Sequence, residues 1–420
     1  MEYGLIGGAL GHSYSKLIHE QLCGYTYELC PLPAEADARA FLRARAFKAV
    51  NVTIPYKRLA LECCDEADPR AAAIGAVNTL VNRGGRLFGY NTDYDGFSYL
   101  ARAHGVNFSG RTVLVLGTGG TSRTVTAAAK AGGAKEVLYA SRAGGPGTLD
   151  YSRAVARQEV QVVVNTSPAG MYPEVESCLL DPAAFPQLEA VLDVVYNPFK
   201  TELVQRAGEL GVTAAGGLEM LVAQAVYAAR LFTGQEIPEK CIDPVFRSIW
   251  ADRANIVLVG MPSSGKTTIG RMLAKALDKR FVDLDAEIER ASGQSVPSMF
   301  ETQGEAGFRR WEQRVTGRFA KESGQVLSCG GGVVKTAANV RALRRNGVVL
   351  FIDRPVEKLR VGGSRPLSTD REALERMAAQ RGPLYRAAAD ITVDNSGEPF
   401  ARAAAAAKEA ICAYFGIERP

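Results

Sequence analysis

Histidine occurs only three times in this chain of 420 residues, and no apolar run approaches the length of a membrane span. The eight cysteines (23, 30, 63, 64, 178, 241, 329 and 412) show neither paired metal spacing nor the framework of a small disulfide scaffold, so a Cys/His metal centre is excluded and the thiols are read as reduced. Internal repeats and low-complexity tracts are missing, the alanine-rich run near 401–407 being most simply a terminal helix. Basic runs interleaved with aromatics are missing too, which argues against nucleic acid as a partner. Strand-like residues Glu2 to Ile6 stand where a charged region and apolar core would announce a secretory signal. A cytoplasmic location away from membranes is therefore expected.

Hydrophobic residues at 47% and aromatics at 8% are the balance of an ordinary globular protein, and the length suggests about three domains. The net charge of +5 conceals an asymmetry: up to Asp252 there are 23 Lys and Arg against 26 Asp and Glu, and from Arg253 onward 27 against 19. The arginines of the basic half are scattered through periodic segments, so small anionic ligands account for them better than a polyanion does. Strand-like runs (Glu2 to Ile6, Ala49 to Thr53, Thr112 to Leu116, Glu136 to Tyr139, Val160 to Val164, Ala190 to Val194) alternate with alanine-rich helical stretches. The pattern resumes at Asn255 to Val259, Arg280 to Val282, Gln325 to Ser328, Val348 to Ile352 and Asp390 to Val393. This is the α/β signature of parallel sheets. A boundary is expected near Trp250 to Ala254, after the apolar helical stretch Leu218 to Phe232 and before a new strand.

Two loops suited to phosphate follow strands and precede helices. The first is Gly117-Thr-Gly119-Gly120-Thr121-Ser122; the second is Gly260-Met-Pro-Ser263-Ser264-Gly265-Lys266-Thr267, followed by Thr268. In each, backbone N–H groups and a helix N-terminus would face an anion. The second matches every fixed position of the P-loop pattern, whereas the first, taken alone, is equally an ordinary strand-to-helix turn.

In the first half, Gly11-His-Ser13-Tyr-Ser15, Asn51-Val-Thr53-Ile-Pro-Tyr-Lys57, Gly75-Ala-Val-Asn78-Thr and Asn91-Thr-Asp93 are polar clusters at successive strand ends. With Asn165-Thr-Ser-Pro-Ala-Gly-Met, Tyr196-Asn-Pro and Gly217-Leu-Glu-Met-Leu-Val-Ala-Gln224, this set resembles shikimate dehydrogenase over essentially residues 1–250. The resemblance implies that Ser13 and Ser15 hold a substrate carboxylate. Thr53, Asn78, Asp93 and Gln224 would hold ring hydroxyls, with Tyr196 nearby, and Lys57 and Asp93 would be the catalytic pair. An ammonium suits that task, because hydride addition builds negative charge on a ketone oxygen. A lysine is otherwise usually a solvated surface residue.

For the cofactor, Gly117, Gly119, Gly120 and Thr121 would approach a pyrophosphate. The next strand ends in Ser141-Arg142, with no acid for ribose hydroxyls, which favours NADP over NAD. Two departures stand out. Lys16 replaces a usual proline, and the stretch from Arg142 to Asn165 is short, so a helix of the nucleotide-binding half is expected to be missing or reduced.

In the second half, the P-loop is followed by Asp283-Leu-Asp285, Phe308-Arg309-Arg-Trp-Glu312, Gly330-Gly331-Gly332, Arg365-Pro-Leu and Pro383-Leu-Tyr-Arg386, an order that resembles shikimate kinase over residues 254 to about 415. Lys266 should contact the β- and γ-phosphates of ATP and Thr267 should ligate Mg²⁺. The resemblance implies that Asp283 supports the metal through water and that Asp285 engages the acceptor hydroxyl. Either aspartate would equally suit helix N-capping. Arg309 and Arg386 would clamp a carboxylate, a planar anion that guanidinium grips at two points. Glu312, one turn after Arg309, could fix it, and Gly331 and Gly332 would let backbone amides approach. Arg360 and Arg365 belong to an expected lid, Leu359 to Arg371, that closes over ATP.

The expected architecture is α/β throughout. A substrate domain (1–95 plus 216–250) and a shortened Rossmann-type NADP domain (96–215) precede a P-loop kinase domain with a parallel sheet (253–420). The resemblances imply a bifunctional enzyme that reduces 3-dehydroshikimate with NADPH and phosphorylates shikimate with MgATP. Its rivals are an NAD-dependent quinate dehydrogenase fused to the same kinase, and a shikimate-sensing regulator with inactive domains.

Overall fold

In the computed structural model, which describes every residue except His12, 363–369, Glu398 and 419–420, three separate sheets account for the alternating pattern. The chain divides into two compact units, Met1–Ile249 and Trp250–Pro420. The division falls inside one helix, Ile242–Arg253, so the connection is helical.

The first unit holds two sheets. The N-terminal one comprises β1 (Tyr3–Gly7), β2 (Tyr27–Pro31), β3 (Ala49–Val52), β4 (Glu66–Ala67), β5 (Thr79–Arg83) and β6 (Arg86–Tyr90), in the order β2-β1-β3-β5-β6-β4. β1 pairs in parallel with β2 and β3, whereas β5 runs antiparallel to β3 and β6. The β5–β6 hairpin turns on Gly84 and Gly85, both at positive φ (60° and 85°) as a tight turn of this hand needs. The helix Leu218–Thr233, apolar on most of its surface and buried at ten positions, packs on the helix Thr92–Ala103. This joins the chain's return from the second sheet to its departure from the first.

The second sheet comprises β7 (Thr112–Leu116), β8 (Glu136–Ala140), β9 (Val160–Asn165), β10 (Ala190–Asp193) and β11 (Thr213–Ala215), in the order β11-β10-β9-β7-β8 and parallel throughout. Its central strands are buried on both faces, the condition that a continuous Val/Leu/Ile run satisfies. Between β8 and β9 the chain makes only a five-residue helix, Tyr151–Val155, capped by Asp150.

The second unit carries β12 (Asn255–Val259), β13 (Arg280–Asp283), β14 (Gln325–Ser328), β15 (Gly347–Asp353) and β16 (Ile391–Asp394), parallel in the order β13-β14-β12-β15-β16. Its core is built from Val257, Leu327, Val349, Phe351 and the helices that cover them. Among the described residues no helix is long and apolar enough to cross a membrane.

Candidate active sites

The polar ends of β3, β5 and β6 converge in the first unit. Asn78 Oδ1 accepts the Thr92 N–H (2.7 Å) and the Thr79 hydroxyl (3.0 Å), while Asn78 Nδ2 donates to Thr92 Oγ1 (3.1 Å). The Thr92 hydroxyl lies 3.5 Å from Gln224 Oε1, tying the helix Leu218–Thr233 to the same network. Asn51 joins from β3 through its Nδ2 to Thr79 Oγ1 (3.1 Å) and accepts the Tyr27 hydroxyl (2.8 Å). Asn78, Asp93 and Gln224 are all buried, so their orientations are fixed by partners.

Lys57 opens the helix Lys57–Cys63, and its Nζ lies 2.5 Å from Asp93 Oδ2, with both side chains mostly shielded from solvent. Asp93 is placed by the first turn of the helix Thr92–Ala103, which Asn91 caps by accepting the Tyr94 N–H (3.2 Å). Ser13 accepts the Ser15 N–H at 3.2 Å, and Ser15 is buried. Thr53 follows β3, half-buried. Tyr196 packs on Tyr14 with ring centroids 5.4 Å apart; burial, with Tyr14 beside it, pushes its phenol up to about 12, so it stays a neutral donor. Sequence reasoning missed Thr92, Thr79 and Tyr14. Thr92 was within view, being the middle of Asn91-Thr-Asp93.

The glycine loop after β7 has room for an anion. Gly117 has φ 108°, and a side chain there would press on Thr166, whereas a β-carbon at Gly119 or Gly120 would meet nothing within 4 Å. The helix Gly120–Ala131 starts at that opening, with Thr121 half-buried in its first turn and the Ser122 hydroxyl turned back onto the Gly119 carbonyl (2.6 Å). Ser141 and Arg142 follow β8, with Arg142 exposed. The Ser141 N–H donates to Leu149 O (2.9 Å) and the Leu149 N–H to Tyr139 O (2.8 Å), so 141–149 folds back on the strand it leaves.

In the second unit a cleft of about 910 Å³ is lined by Ser263, Gly265, Lys266, Thr267 and Thr268 of the P-loop together with Arg309, Gly331, Gly332 and Arg381. Lys266 Nζ donates to the carbonyls of Gly260 (2.9 Å) and Met261 (2.8 Å). Gly260 and Ser264 shape this loop without lining the cleft. A β-carbon at Gly260 would strike Ile352 O, and Ser264 is buried with its carbonyl accepting from Asn395 Nδ2 (2.7 Å). Asp283 does two things at once: Oδ2 accepts the Thr267 hydroxyl (2.9 Å), and Oδ1 accepts the N–H groups of Asp285 and Ala286 as the helix N-cap. Asp285 faces Gly330, where a β-carbon would collide with its carboxylate, and a β-carbon at Gly332 would collide with the Arg309 guanidinium. At these two glycines the missing side chain leaves space that the Asp285 carboxylate and the Arg309 guanidinium occupy.

Arg309 Nη1 donates to both Glu312 oxygens at 2.8 Å. Burial raises the Glu312 carboxyl above its ordinary value, and the Arg309 charge is what opposes that. Arg360 lines the cleft; Arg365 lies outside the described residues.

One expectation is corrected. Arg386 is exposed and does not line the cleft, whereas Arg381 is buried there, its Nη1 donating to Gly331 O (2.9 Å). The two arginines share the helix Arg371–Ala388 but not a face of it.

Comparison with known proteins separates the chain along the same lines. The family profile described as the shikimate dehydrogenase substrate binding domain matches residues 5–80, and that of the shikimate 5'-dehydrogenase C-terminal domain matches 217–243. The shikimate kinase profile matches 262–412. The chain is 30% identical over 264 residues to the shikimate dehydrogenase (NADP(+)) of Clostridium perfringens, covering 59% of this chain and 97% of that one. It is 46% identical over 152 residues to the shikimate kinase of Aromatoleum aromaticum, covering 34% of this chain and 87% of that one. The solved shikimate 5-dehydrogenase of Thermus thermophilus, in complex with NADP(H) and shikimate, superposes with a TM-score of 0.53 at 31% identity, over 59% of this chain and 99% of that one.

Proposed function

The chain belongs to the shikimate dehydrogenase family in its first unit and to the shikimate kinase family in its second, and on that premise we propose that it performs two consecutive reactions of the shikimate pathway. The first unit reduces 3-dehydroshikimate to shikimate with NADPH; the second phosphorylates shikimate at its 3-hydroxyl with MgATP. What carries the reading is that each unit assembles its own charged machinery: the Lys57–Asp93 pair beside the Asn78–Thr92–Gln224 network, and a P-loop that shares one cleft with Arg309 and Arg381.

In the dehydrogenase site, Ser13 and Ser15 would bind the substrate carboxylate through their hydroxyls, and Thr53, Asn78, Asp93 and Gln224 would bind the ring hydroxyls. Bound NADPH supplies a hydride to the carbonyl carbon. The charge that then develops on the oxygen meets the Lys57 ammonium, which donates a proton to it, while Asp93 holds Lys57 in place. The open Gly117–Gly120 loop and the helix start fit a pyrophosphate, and Ser141 with Arg142 fits a ribose 2′-phosphate.

In the kinase site, Arg309 and Arg381 would grip the substrate carboxylate and Asp285 would take the proton of the attacking hydroxyl. MgATP, when bound, supplies the phosphoryl group. Lys266 already points its ammonium into the concavity of the P-loop, where phosphate oxygens would replace the Gly260 and Met261 carbonyls. Thr267 and Asp283 fit a Mg²⁺ that is held mainly by phosphate and water, since among the described residues no cluster of three His, Cys, Asp or Glu side chains could hold an ion.

The test is a one-pot assay of the full chain with 3-dehydroshikimate, NADPH, ATP and Mg²⁺, read by mass spectrometry. Wild type should form shikimate 3-phosphate, Lys57→Ala neither product, and Lys266→Ala shikimate alone. Absence of both products from wild type would leave a ligand-sensing protein as the better description.

A further inference from the structure

Arg309 is engaged by more acid than its support requires. Besides Glu312, whose buried side chain takes Nη1 on both oxygens, a second carboxylate occupies the guanidinium. Glu305 Oε1 accepts from Nε at 3.3 Å and from Nη2 at 3.1 Å. The Nε/Nη2 edge is one of the paired-donor edges through which arginine grips a planar carboxylate, and the adjacent Nη1/Nη2 edge is partly committed to Glu312. The two acids differ in exposure. Glu312 is 3% exposed with Asn339 also against it, whereas Glu305 is 40% exposed. The same Glu305 oxygen is also held by Lys335, whose Nζ donates to it at 2.7 Å.

The backbone beneath Glu305 is also unusual. Gly304, at φ 66° and ψ −179°, interrupts the helix Val296–Lys321 immediately before Glu305. Val296, Pro297 and Phe300, on the far side of that break, line the same cleft. A β-carbon at Gly304 would meet nothing within 4 Å, and its positive φ is a conformation that glycine adopts without strain.

We propose that Glu305 is an internal stand-in for the substrate carboxylate: it occupies the Nε/Nη2 edge of Arg309 until the incoming acid displaces it, and Lys335 receives it when displaced. The proposal rests on the assignment of Arg309 to the carboxylate of shikimate. Glu305 therefore lowers affinity for the acid and Lys335 restores it. A ligand without a carboxylate gains nothing at that edge and leaves Glu305 in place, so only the anion meets this competition. A purely supporting Glu305, by contrast, would strengthen binding by aligning Arg309.

The two roles predict opposite signs. Initial rates of shikimate phosphorylation by the full chain, without NADP(H) so that only the kinase unit turns over, give KM and kcat. Glu305→Gln should lower KM for shikimate by roughly three- to fivefold, the scale of a half-exposed ion pair, with kcat and the KM for ATP held within about twofold. Lys335→Ala should raise KM by a similar factor in wild type and leave it unchanged in the Glu305→Gln background. The inhibition constant of methyl shikimate, which lacks the anion, should not improve in Glu305→Gln. A higher KM in Glu305→Gln, or a Lys335→Ala effect that persists without Glu305, overturns the proposal. Arg309→Lys separates this from the underlying assignment. If that variant leaves KM for shikimate unchanged, Arg309 does not bind the carboxylate; if KM rises sharply while Glu305→Gln shows no gain, only the stand-in role fails.

Discussion

Arg381 and Arg386 stand five residues apart on one helix, which turns their side chains about 140° apart around its axis. Only one can face the cleft, and it is Arg381, 7% exposed and bonded to the Gly331 carbonyl. Arg381→Ala should therefore raise KM for shikimate in the kinase reaction by at least about tenfold, the scale of a charge-assisted contact to a bound anion, while Arg386→Ala changes it less than about twofold. Equal effects would show that the helix face has been misassigned. The pair also marks the limit of reading residues from the chain. Lys57, Asp93, Lys266 and Asp283 sit in short motifs whose chemistry is stated by their neighbours. Pro383-Leu-Tyr-Arg386, however, names a stretch of helix without saying which side is covered, and burial depends on strands distant in sequence. Thr92 escaped notice for a related reason: its value lies in joining Asn78 to Gln224, 132 residues away from itself.

At the scale of elements, the central parallel strands β7, β9, β10, β12, β14 and β15 were legible because they are buried on both faces and so read as continuous apolar runs, whereas β8, β13 and β16 were placed by the helical stretches between them. The strands left unnamed are those without that signature: β2 at a sheet edge with exposed positions, the two-residue β4, the three-residue β11, and the antiparallel β5–β6 hairpin. The Gly84-Gly85 pair was a signal for that hairpin that the sequence reading did not use. The shortened passage between β8 and β9 was legible from length alone, and its consequence falls on the cofactor. With only Tyr151–Val155 as helix there, recognition of a 2′-phosphate would rest on Ser141 and the exposed Arg142 just beyond β8. Arg142→Ala should raise KM for NADPH about tenfold, the typical size of a charge-assisted contact to phosphate, and leave the weaker rate with NADH nearly unchanged. Parallel losses with both cofactors would mean that Arg142 supports the loop rather than reading the phosphate.

Across the whole molecule the two units differ in how they meet acid. All three histidines precede Ile249, so the kinase unit has none. His19 is fully buried, stacked on Tyr27 with centroids 4.1 Å apart, and burial lowers its pKa from 6.5 to about 3. In the unfolded chain it binds a proton below about 6.5. Its contribution to stability is thus complete above that pH and declines by about 1.4 kcal/mol per pH unit as pH falls toward 3. Asp193, at the end of β10, opposes it. Burial pushes its carboxyl up from 3.8 to about 7 despite donors from Thr201, Val195 and Asn165. A carboxyl so raised contributes stability that is present below 3.8 and lost as pH rises through about 7. Between about pH 4 and 6.5 the two slopes have opposite sign and similar size, so the contributions of these two groups nearly cancel there. Removing either group exposes the other. In urea titrations followed by dehydrogenase activity, His19→Phe should be less stable at about pH 6.5 than at about pH 4.5, and Asp193→Asn should show the reverse. The urea midpoint for kinase activity should keep its wild-type pH dependence in both variants, because neither group belongs to that unit's core. Variants whose dehydrogenase midpoints move with pH in the same direction as each other would show that these two buried groups do not set the acid response.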